Sequence, residues 1–149
     1  MSASPPGPYL QGNAGPLPLK LTVADGFWPR LRGWLFRRPP AAEEALLLKS
    51  CRAIHTVGMT FPIDVLHLDD SGHVLACRSQ LRPWRTSRGP RGATQTLELP
   101  AGTIRRHGLA VGHRLHMAGA TMVEFAVVGP LITLIGLAVL QYALLFFAK

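Results

Sequence analysis

The sequence predicts an α+β protein: a small, mainly antiparallel, β-rich domain with one or two helices, followed by a single C-terminal transmembrane helix. Three observations support this class. Short apolar runs of strand length are separated by turns rich in glycine and proline. These runs do not alternate with helices, so a parallel βαβ sheet is not expected. The last 25 residues carry one charge, that of Lys149, whereas the preceding residues are polar and basic.

Length and charge limit the function classes. The chain has 149 residues, which suits one modest domain plus an appendage, and we see no internal repeat. Its net charge of +8 favours anionic partners, either nucleic acid or an anionic lipid surface. The first residues lack the apolar core of a secretory signal, so we expect a reducing compartment and no disulfide between Cys51 and Cys77.

The first third of the chain contains one predicted helix. Residues 1–18 are rich in Pro, Gly, Ser and Ala and predict a disordered lead-in, so the domain is placed at residues 19–116. Residues 24–37 predict a helix because apolar side chains, Trp34 among them, recur at helical spacing. Asp25 is the expected N-cap, and the two prolines that follow the helix would end it.

Strands dominate the middle of the chain. Residues 45–49 form a short apolar run, and residues 63–68 form another. The second run leads through Asp-Asp-Ser-Gly into residues 73–77, which predicts a β-hairpin with a positive φ at Gly72. Residues 81–92 predict a basic loop.

The end of the domain repeats this pattern. Residues 94–99 predict a strand, and residues 103–107 predict one or two helical turns that end at Gly108. Residues 111–115 predict a last short strand.

An uncharged segment follows the domain. Residues 125–148 contain no Asp, Glu, Lys, Arg or His over 24 positions, and about 20 apolar residues suffice to cross a bilayer as a helix. We therefore place a membrane segment at residues 117–149. Arg105, Arg106 and Arg114 precede it and only Lys149 follows, so the N-terminal domain is expected on the cytoplasmic side of the inner membrane.

The start of this segment resembles TadE-like pilus-assembly proteins. The sequence Gly-Ala-Thr-Met-Val-Glu-Phe begins at Gly119, directly before the apolar run, and the resemblance covers residues 118–149. It implies cleavage by a prepilin peptidase between Gly119 and Ala120, with Glu124 at the fifth mature position. The alternative reading of Glu124 is a carboxylate at the headgroup level, at the favourable N-terminal end of a helix.

The soluble part resembles the domain-of-unknown-function family 192. The likeness rests on the stretch Cys51-Arg-Ala-Ile-His-Thr-Val-Gly-Met-Thr-Phe-Pro-Ile-Asp, with Leu-Glu-Leu-Pro-Ala-Gly and Gly-Leu-Ala-Val-Gly later, over residues 21–115. Pro62 and Asp64 match the Pro-x-Asp pair of the family, whereas His113 replaces the usual Asp near its end. The resemblance implies a small β-rich fold, and no activity is assigned to the family.

One group of residues is a candidate ligand site. His55, Thr56 and Asp64 fall in the stretch that carries the family pattern, and they form a weak ligand-binding hypothesis. Asp64 is also explained as a structural carboxylate that accepts backbone N–H bonds. Period-two alternation predicts that Asp64 and His67 point to opposite faces of their strand.

Catalytic and metal chemistry are not predicted. Cys51 could act as a nucleophile only with a base such as His55 in reach, and a buried apolar cysteine is the commoner reading. The chain has no Cys-x-x-Cys or paired-His motif, so no metal and no cofactor are expected.

The basic loop is a candidate contact surface. It interleaves Arg82, Arg85, Arg88 and Arg91 with Trp84. Arginine with an aromatic ring can stack bases and neutralise phosphates. Because a bilayer is already implied, we favour contact with anionic lipid over nucleic acid.

Together these patterns predict a membrane-anchored, non-enzymatic domain, and the TadE-like resemblance implies a structural or assembly-related role in Flp (tight-adherence) pilus biogenesis. The expected partners are the lipid bilayer, other pilus-assembly proteins and a prepilin peptidase. The alternative function is a small-ligand-binding or enzymatic domain that the tail merely tethers.

Overall fold

A computed structural model of the chain describes residues 9–26, 34, 38–118, 134, 137 and 141. The chain divides into two compact units, residues 1–119 and residues 120–149. Within the described part of the first unit the elements are β1 (Tyr9–Gly12), β2 (Gly15–Ala24), β3 (Glu44–Leu48), β4 (Ala53–His55), β5 (Ile63–Leu68), β6 (Val74–Leu81), β7 (Thr86–Arg88), β8 (Gln95–Pro100), α1 (Thr103–His107) and β9 (His116–Ala118).

In the described part of the chain, seven strands form one sheet in the order β6-β5-β8-β3-β2-β1-β9. All neighbouring strands are antiparallel except β2 and β3, which run parallel. Strands β4 and β7 form a separate antiparallel pair. The fold class is therefore a small, mainly antiparallel, β-rich domain with a short helix, as the sequence predicts.

The two edges of the large sheet are joined. His73, just before β6, forms a β-bridge with Arg114, just before β9. The N–H of Val74 donates to the carbonyl of His113, and the N–H of Leu115 donates to the carbonyl of Gly72, both at 2.8 Å. Because β9 pairs with β1 at the other edge, these bonds close the sheet into a barrel.

Gly72 makes this closure possible. Its φ is +84°, and a Cβ at this position would lie 1.9 Å from the carbonyl oxygen of Leu115. Only glycine tolerates both the left-handed backbone and the close approach.

The interior of the barrel is almost entirely apolar. Alternate residues of the strands point inward, because side chains in a strand alternate between the two faces. The buried members of this inner core are Leu10, Leu19, Leu21, Ala45, Leu47, Leu66, Leu68, Val74, Leu97, Leu99, Leu109 and Leu115. Helix α1 lies against one end of it, where Ile104 packs against the core and Thr103 is fully buried.

The outer face of the same strands carries a second core. It contains Ala24, Trp34, Leu46, Leu48, Ile54, Met59, Phe61, Ile63 and Val65. Ile54 belongs to β4, so the small β4–β7 sheet packs against this outer face.

Several predicted elements are confirmed to within one residue. The strands predicted at 45–49, 63–68 and 94–99 correspond to β3, β5 and β8. The helical turns predicted at 103–107 correspond to α1, and Gly108 ends the helix with φ +59°. Gly72 has the positive φ that the hairpin requires.

The prediction of a disordered lead-in is wrong for residues 9–18. These residues form β1 and the first part of β2. The prolines conceal a period-two pattern, in which Leu17 and Leu19 point inward while Pro16 and Pro18 point outward. The missing N–H of Pro18 is tolerated because the register between β1 and β2 shifts there, and pairing with β3 begins only at Lys20.

Three further boundaries need correction. Ala24 is the last residue of β2, so no helix begins there; of the rest of the predicted helix only Asp25, Gly26 and Trp34 are described, and Trp34 is buried. The predicted basic loop contains strand β7. The last strand is β9 instead of residues 111–115, because residues 111–112 make a turn before the bridge at Arg114.

The second unit is described at three positions. Leu134, Leu137 and Gln141 are helical and exposed. Among the described residues no helix is both long and apolar enough for a membrane span. The span predicted at 125–148 otherwise lies outside the described residues.

Candidate functional site

Asp64 is a buried structural carboxylate. It lies on the inward face of β5 and is fully buried. Its Oδ2 accepts the N–H of Ile104 at 2.8 Å, in the first turn of α1. Its Oδ1 accepts the N–H of Gln80 at 2.8 Å and the hydroxyl of Ser79 at 3.5 Å. Asp64 therefore joins α1 to β6, which agrees with the structural reading of this residue.

Thr56 organises the basic loop. It is fully buried, and its hydroxyl donates to the carbonyl of Arg82 at 2.7 Å and accepts the N–H of Arg85 at 2.9 Å. Its backbone carbonyl accepts the N–H of Trp84 at 3.0 Å. The loop conformation thus depends on one threonine that lies far away in sequence.

The structure does not bring His55, Thr56 and Asp64 together in one site. His55 is exposed at the end of β4. Asp64 lies on the inner face, whereas β4 packs on the outer face through Ile54. The oxygens of Asp64 are engaged by protein donors.

The arginine and tryptophan side chains of the basic loop are exposed. The side chains of Arg82, Arg85, Arg88 and Arg91 are exposed, and that of Trp84 is 64% exposed. Trp84 has φ +60°, a left-handed conformation that is uncommon for a bulky residue. The hydrogen bonds to Thr56 hold this conformation, so the indole ring is presented to solvent from an ordered backbone.

A polar network lies between the outer face of the sheet and β7. His67 is fully buried and points to the opposite face from Asp64, as the alternation predicts. Its Nε2 lies 2.8 Å from the Oγ of Ser87, and its Nδ1 lies 3.1 Å from the Oγ1 of Thr96. Thr96 donates its single hydroxyl proton to the carbonyl of Cys51 at 2.8 Å.

This donation fixes the remaining protons. Because Thr96 has only one proton to give, it accepts from Nδ1–H of His67, and Nε2 accepts from the hydroxyl of Ser87. Burial, aided by the positive charge of Arg78, lowers the pKa of His67 below its usual value of 6.5. The neutral imidazole thus links β5, β7 and β8.

Glu98 is the second buried carboxylate, and sequence reasoning missed it. It lies on the outward face of β8, between Leu46 of β3 and Val65 of β5. Among the described residues its Oε2 has no hydrogen-bond partner. Burial raises its pKa to about 7. The signal in the sequence is a charged residue inside an otherwise apolar strand, Thr-Leu-Glu-Leu-Pro.

A cavity of about 420 Å³ lies at the end of the barrel where β3 and β5 end. Inward-pointing Leu10, Leu47, Leu68 and Leu115 form its floor. Its polar rim includes Lys49 and residues of the 69–72 turn. This cavity is invisible in the sequence because its walls come from strands that are distant along the chain.

The described residues hold neither a cluster of metal ligands nor a disulfide. Among the described residues no group of three or more His, Cys, Asp or Glu side chains could hold a metal ion. Cys51 and Cys77 do not form a disulfide. The predicted peptidase-site residues Gly119, Ala120 and Glu124 lie outside the described residues.

A family model, DUF192, described as an uncharacterized ACR family, matches residues 10–117. The chain belongs to the DUF192 family. A second model, that of TadE-like proteins, matches residues 119–149. Both resemblances seen in the sequence are thereby confirmed, with the DUF192 domain beginning in β1 and ending in β9.

Individual relatives agree with this assignment. The UPF0127 protein PF1050 of Pyrococcus furiosus is 31% identical over 100 residues, which cover 65% of this chain and 85% of that protein. A Sinorhizobium meliloti crystal structure, described as a candidate transcription regulator, has a TM-score of 0.64 and 26% identity over 75% of this chain and 92% of the other. A Novosphingobium aromaticivorans protein of unknown function has a TM-score of 0.65 and 16% identity, covering 73% and 82%, and supports the DUF192 fold alone.

Proposed function

We propose that this chain is a DUF192 domain held at the inner membrane by its TadE-like segment, with a structural or assembly role in Flp pilus biogenesis. The observation that carries the proposal is the TadE-like match at residues 119–149, which begins one residue after β9 ends. The uncharged stretch at 125–148 supplies the length that a membrane helix needs. Leu134 and Leu137, 69% and 58% exposed on a helix, are suited to lipid.

The charge distribution supports a cytoplasmic position for the DUF192 domain. Arg105, Arg106 and Arg114 are exposed in the last part of the domain, and Lys149 is the one charge after the apolar run. Basic residues near a span favour the cytoplasmic side.

Membrane association is tested by fractionation. The full chain, expressed in a bacterium that assembles Flp pili, is expected in the membrane pellet and should resist extraction by alkaline carbonate. Recovery of the chain in the carbonate supernatant would contradict an integral anchor. Protease added to intact spheroplasts should leave the DUF192 domain undigested if that domain is cytoplasmic.

Processing by a prepilin peptidase is tested by mass spectrometry. Cleavage would release a product that begins at Ala120. Gly119→Arg should abolish this product, whereas Ala110→Arg, the same substitution at an exposed position, should preserve it. If the chain stays intact in cells with an active peptidase, the TadE-like segment is not processed and serves only as an anchor.

The basic loop provides a second contact with the membrane in this proposal. Trp84 is flanked by exposed arginines, a combination suited to the interface of an anionic bilayer. In proteoliposomes, emission from Trp84 should shift to the blue with phosphatidylglycerol but not with phosphatidylcholine alone, relative to Trp84→Phe. Retention of nucleic acid instead, with a steep salt dependence, would favour the nucleic-acid alternative.

A further inference from the structure

We propose that the open end of the barrel binds a small zwitterion with an apolar side chain, a ligand of the α-amino acid class. All the described residues that line the cavity belong to the DUF192 domain, so the inference is argued without the membrane role. The cavity, at about 420 Å³, lies in the range of about 300–1,000 Å³ that is typical of small-molecule sites.

The floor of the cavity selects an apolar group. Leu10, Leu47, Leu68 and Leu115 come from β1, β3, β5 and the segment before β9, and each is buried below 5% exposure. None of these side chains offers a hydrogen bond, so a polar substituent placed against them would lose its water without compensation. A branched aliphatic side chain would instead bury apolar area there.

The rim carries charges of both signs. Asp70, in the turn after β5, is exposed, and its carboxylate makes no hydrogen bond or ion pair to the described residues. Lys49, at the end of β3, is half-buried and contributes an ammonium group with three donors, so it can serve a ligand as well as a protein partner. A ligand that carries only a positive charge would be repelled by Lys49, and a ligand that carries only a negative charge would be repelled by Asp70.

One element of the rim, the turn after β5, is held in place by the barrel. The turn that carries Asp70 is fixed by Asp69, whose Oδ1 accepts the N–H groups of Ser71 and His73 at 2.9 and 2.8 Å. Gln95 ties the same turn to β8, because its Nε2 donates to the carbonyl of Asp69 at 2.9 Å. A preorganised rim loses little conformational entropy when a ligand binds.

These features together define the expected ligand. Its ammonium group would bind the carboxylate of Asp70, its carboxylate would bind the ammonium of Lys49, and its side chain would enter between the leucines. Leucine and related aliphatic amino acids have this chemistry. Lysine and glutamate share the zwitterionic head but carry a charge that the leucine floor would exclude.

Calorimetric titration of the full chain in detergent tests the proposal. L-leucine is expected to bind at least about tenfold more tightly than 4-methylpentanoate, which lacks the ammonium group, and than 3-methylbutylamine, which lacks the carboxylate. L-lysine and L-glutamate should give no measurable heat of binding. Absence of leucine binding at millimolar concentration would overturn the proposal, as would equal affinity for leucine and 4-methylpentanoate.

Substitution of the rim locates the site. Asp70→Asn should weaken leucine binding about tenfold while leaving 4-methylpentanoate unchanged. Asp25→Asn, at an exposed position in the residues after β2, is the matched control and should bind leucine like the unaltered chain. Because Asp70 is exposed, its substitution does not disturb the core. Equal leucine affinity in the two variants would show that the ligand binds elsewhere and would overturn the assignment.

Discussion

Two buried carboxylates lie on opposite faces of the same barrel wall, and their surroundings differ. Asp64, on the inner face, accepts N–H bonds from Ile104 and Gln80 at 2.8 Å. Glu98, on the outer face, has one oxygen without a partner among the described residues, and burial raises its pKa to about 7. The inner carboxylate therefore stabilises the fold through its hydrogen bonds, whereas the outer carboxylate destabilises the fold when it is ionised.

The other buried residues of the two faces also differ in polarity. The inner core consists of aliphatic side chains, and Asp64 stands at its end beside α1. The outer face mixes apolar residues with the buried polar side chains of His67, Thr96 and Glu98. Burying a polar group is costly unless it is hydrogen-bonded. We therefore expect the contribution of the outer face to stability to depend on pH. The contribution of the inner face should fall when the hydrogen bonds of Asp64 are removed.

Asp64→Ala should cause the largest loss of stability. It leaves the N–H groups of Ile104 and Gln80 without their acceptor and separates α1 from β6, so the free energy of unfolding should fall by about 4 kcal/mol. Urea unfolding of the full chain in detergent, followed by tryptophan emission, measures this loss. Asp70→Ala removes an exposed carboxylate and should change stability little. A loss for Asp64→Ala as small as that of Asp70→Ala would remove the structural role assigned to the inner carboxylate.

Gly72→Ala should disrupt the hydrogen bonds that close the barrel. A Cβ at this position would lie 1.9 Å from the carbonyl oxygen of Leu115, and φ is +84°, so we expect a loss of about 3 kcal/mol. Gly102→Ala is the matched control, because φ is +88° there but no atom lies within 4 Å. The control should lose only about 1 kcal/mol, the cost of the backbone conformation.

Amide hydrogen exchange tests whether Gly72→Ala weakens the structure locally. In Gly72→Ala the N–H groups of Val74 and Leu115, which form the seam, should exchange faster than those of β8. Uniform acceleration across β5, β8 and the seam would mean that closure is not a local feature of this turn.

Glu98→Gln should raise stability above about pH 4.5, and the gain should grow until about pH 7. The folded chain keeps the Glu98 proton up to about pH 7, whereas the unfolded chain loses it near 4.5. The unfolded state therefore binds fewer protons between these values, and the free energy of unfolding falls as pH rises through this window. Removing the charge should recover about 2 kcal/mol at pH 8 and almost nothing at pH 4.

Unfolding midpoints of Glu98→Gln at pH 4, 6 and 8 measure this effect. Glu44→Gln changes an exposed carboxylate at the start of β3 and serves as the control. If Glu98→Gln instead became more destabilising from pH 4 to pH 8, the folded chain would favour the charged carboxylate, which would contradict this prediction.

The same contrast explains how much the sequence could predict. The inner core follows period-two alternation, so β3, β5 and β8 were predicted to within one residue. Strand β1 and the start of β2 were missed because Pro16 and Pro18 stand at outward positions of an alternating strand, and proline was read as disorder. In that stretch composition was a poorer guide than the spacing of the leucines.

The outer face was much less predictable. The alternation of β5 correctly placed Asp64 and His67 on opposite faces, and Asp64 proved to be structural. The partners of His67 are Ser87 and Thr96, each at least 20 residues away in sequence, and no local pattern links them. The cavity at the barrel end was equally hidden, because it depends on closure between Gly72 and Leu115.

Ser87→Ala should produce the smallest effect, and it tests the network of the outer face. The Nε2 of His67 would lose the donor at 2.8 Å and remain buried, so stability should fall by about 1 kcal/mol at pH 7.5. The hydrogen bond to Nε2 favours neutral imidazole, so its loss should raise the pKa of His67 toward 6.5.

The effect of Ser87→Ala on stability should also depend on pH. The pKa of His67 is lowered in the folded chain, so the unfolded state binds more protons and stability falls as pH drops below about 6.5. Ser87→Ala should make that fall shallower, whereas Ser71→Ala, an exposed serine in the 69–72 turn, should keep it unchanged. Because Glu98 acts in the opposite direction over part of the same range, the serine variants are best compared in a Glu98→Gln background. An unchanged slope in Ser87→Ala would mean that the hydroxyl does not hold the imidazole neutral, and that burial and the charge of Arg78 lower its pKa without it.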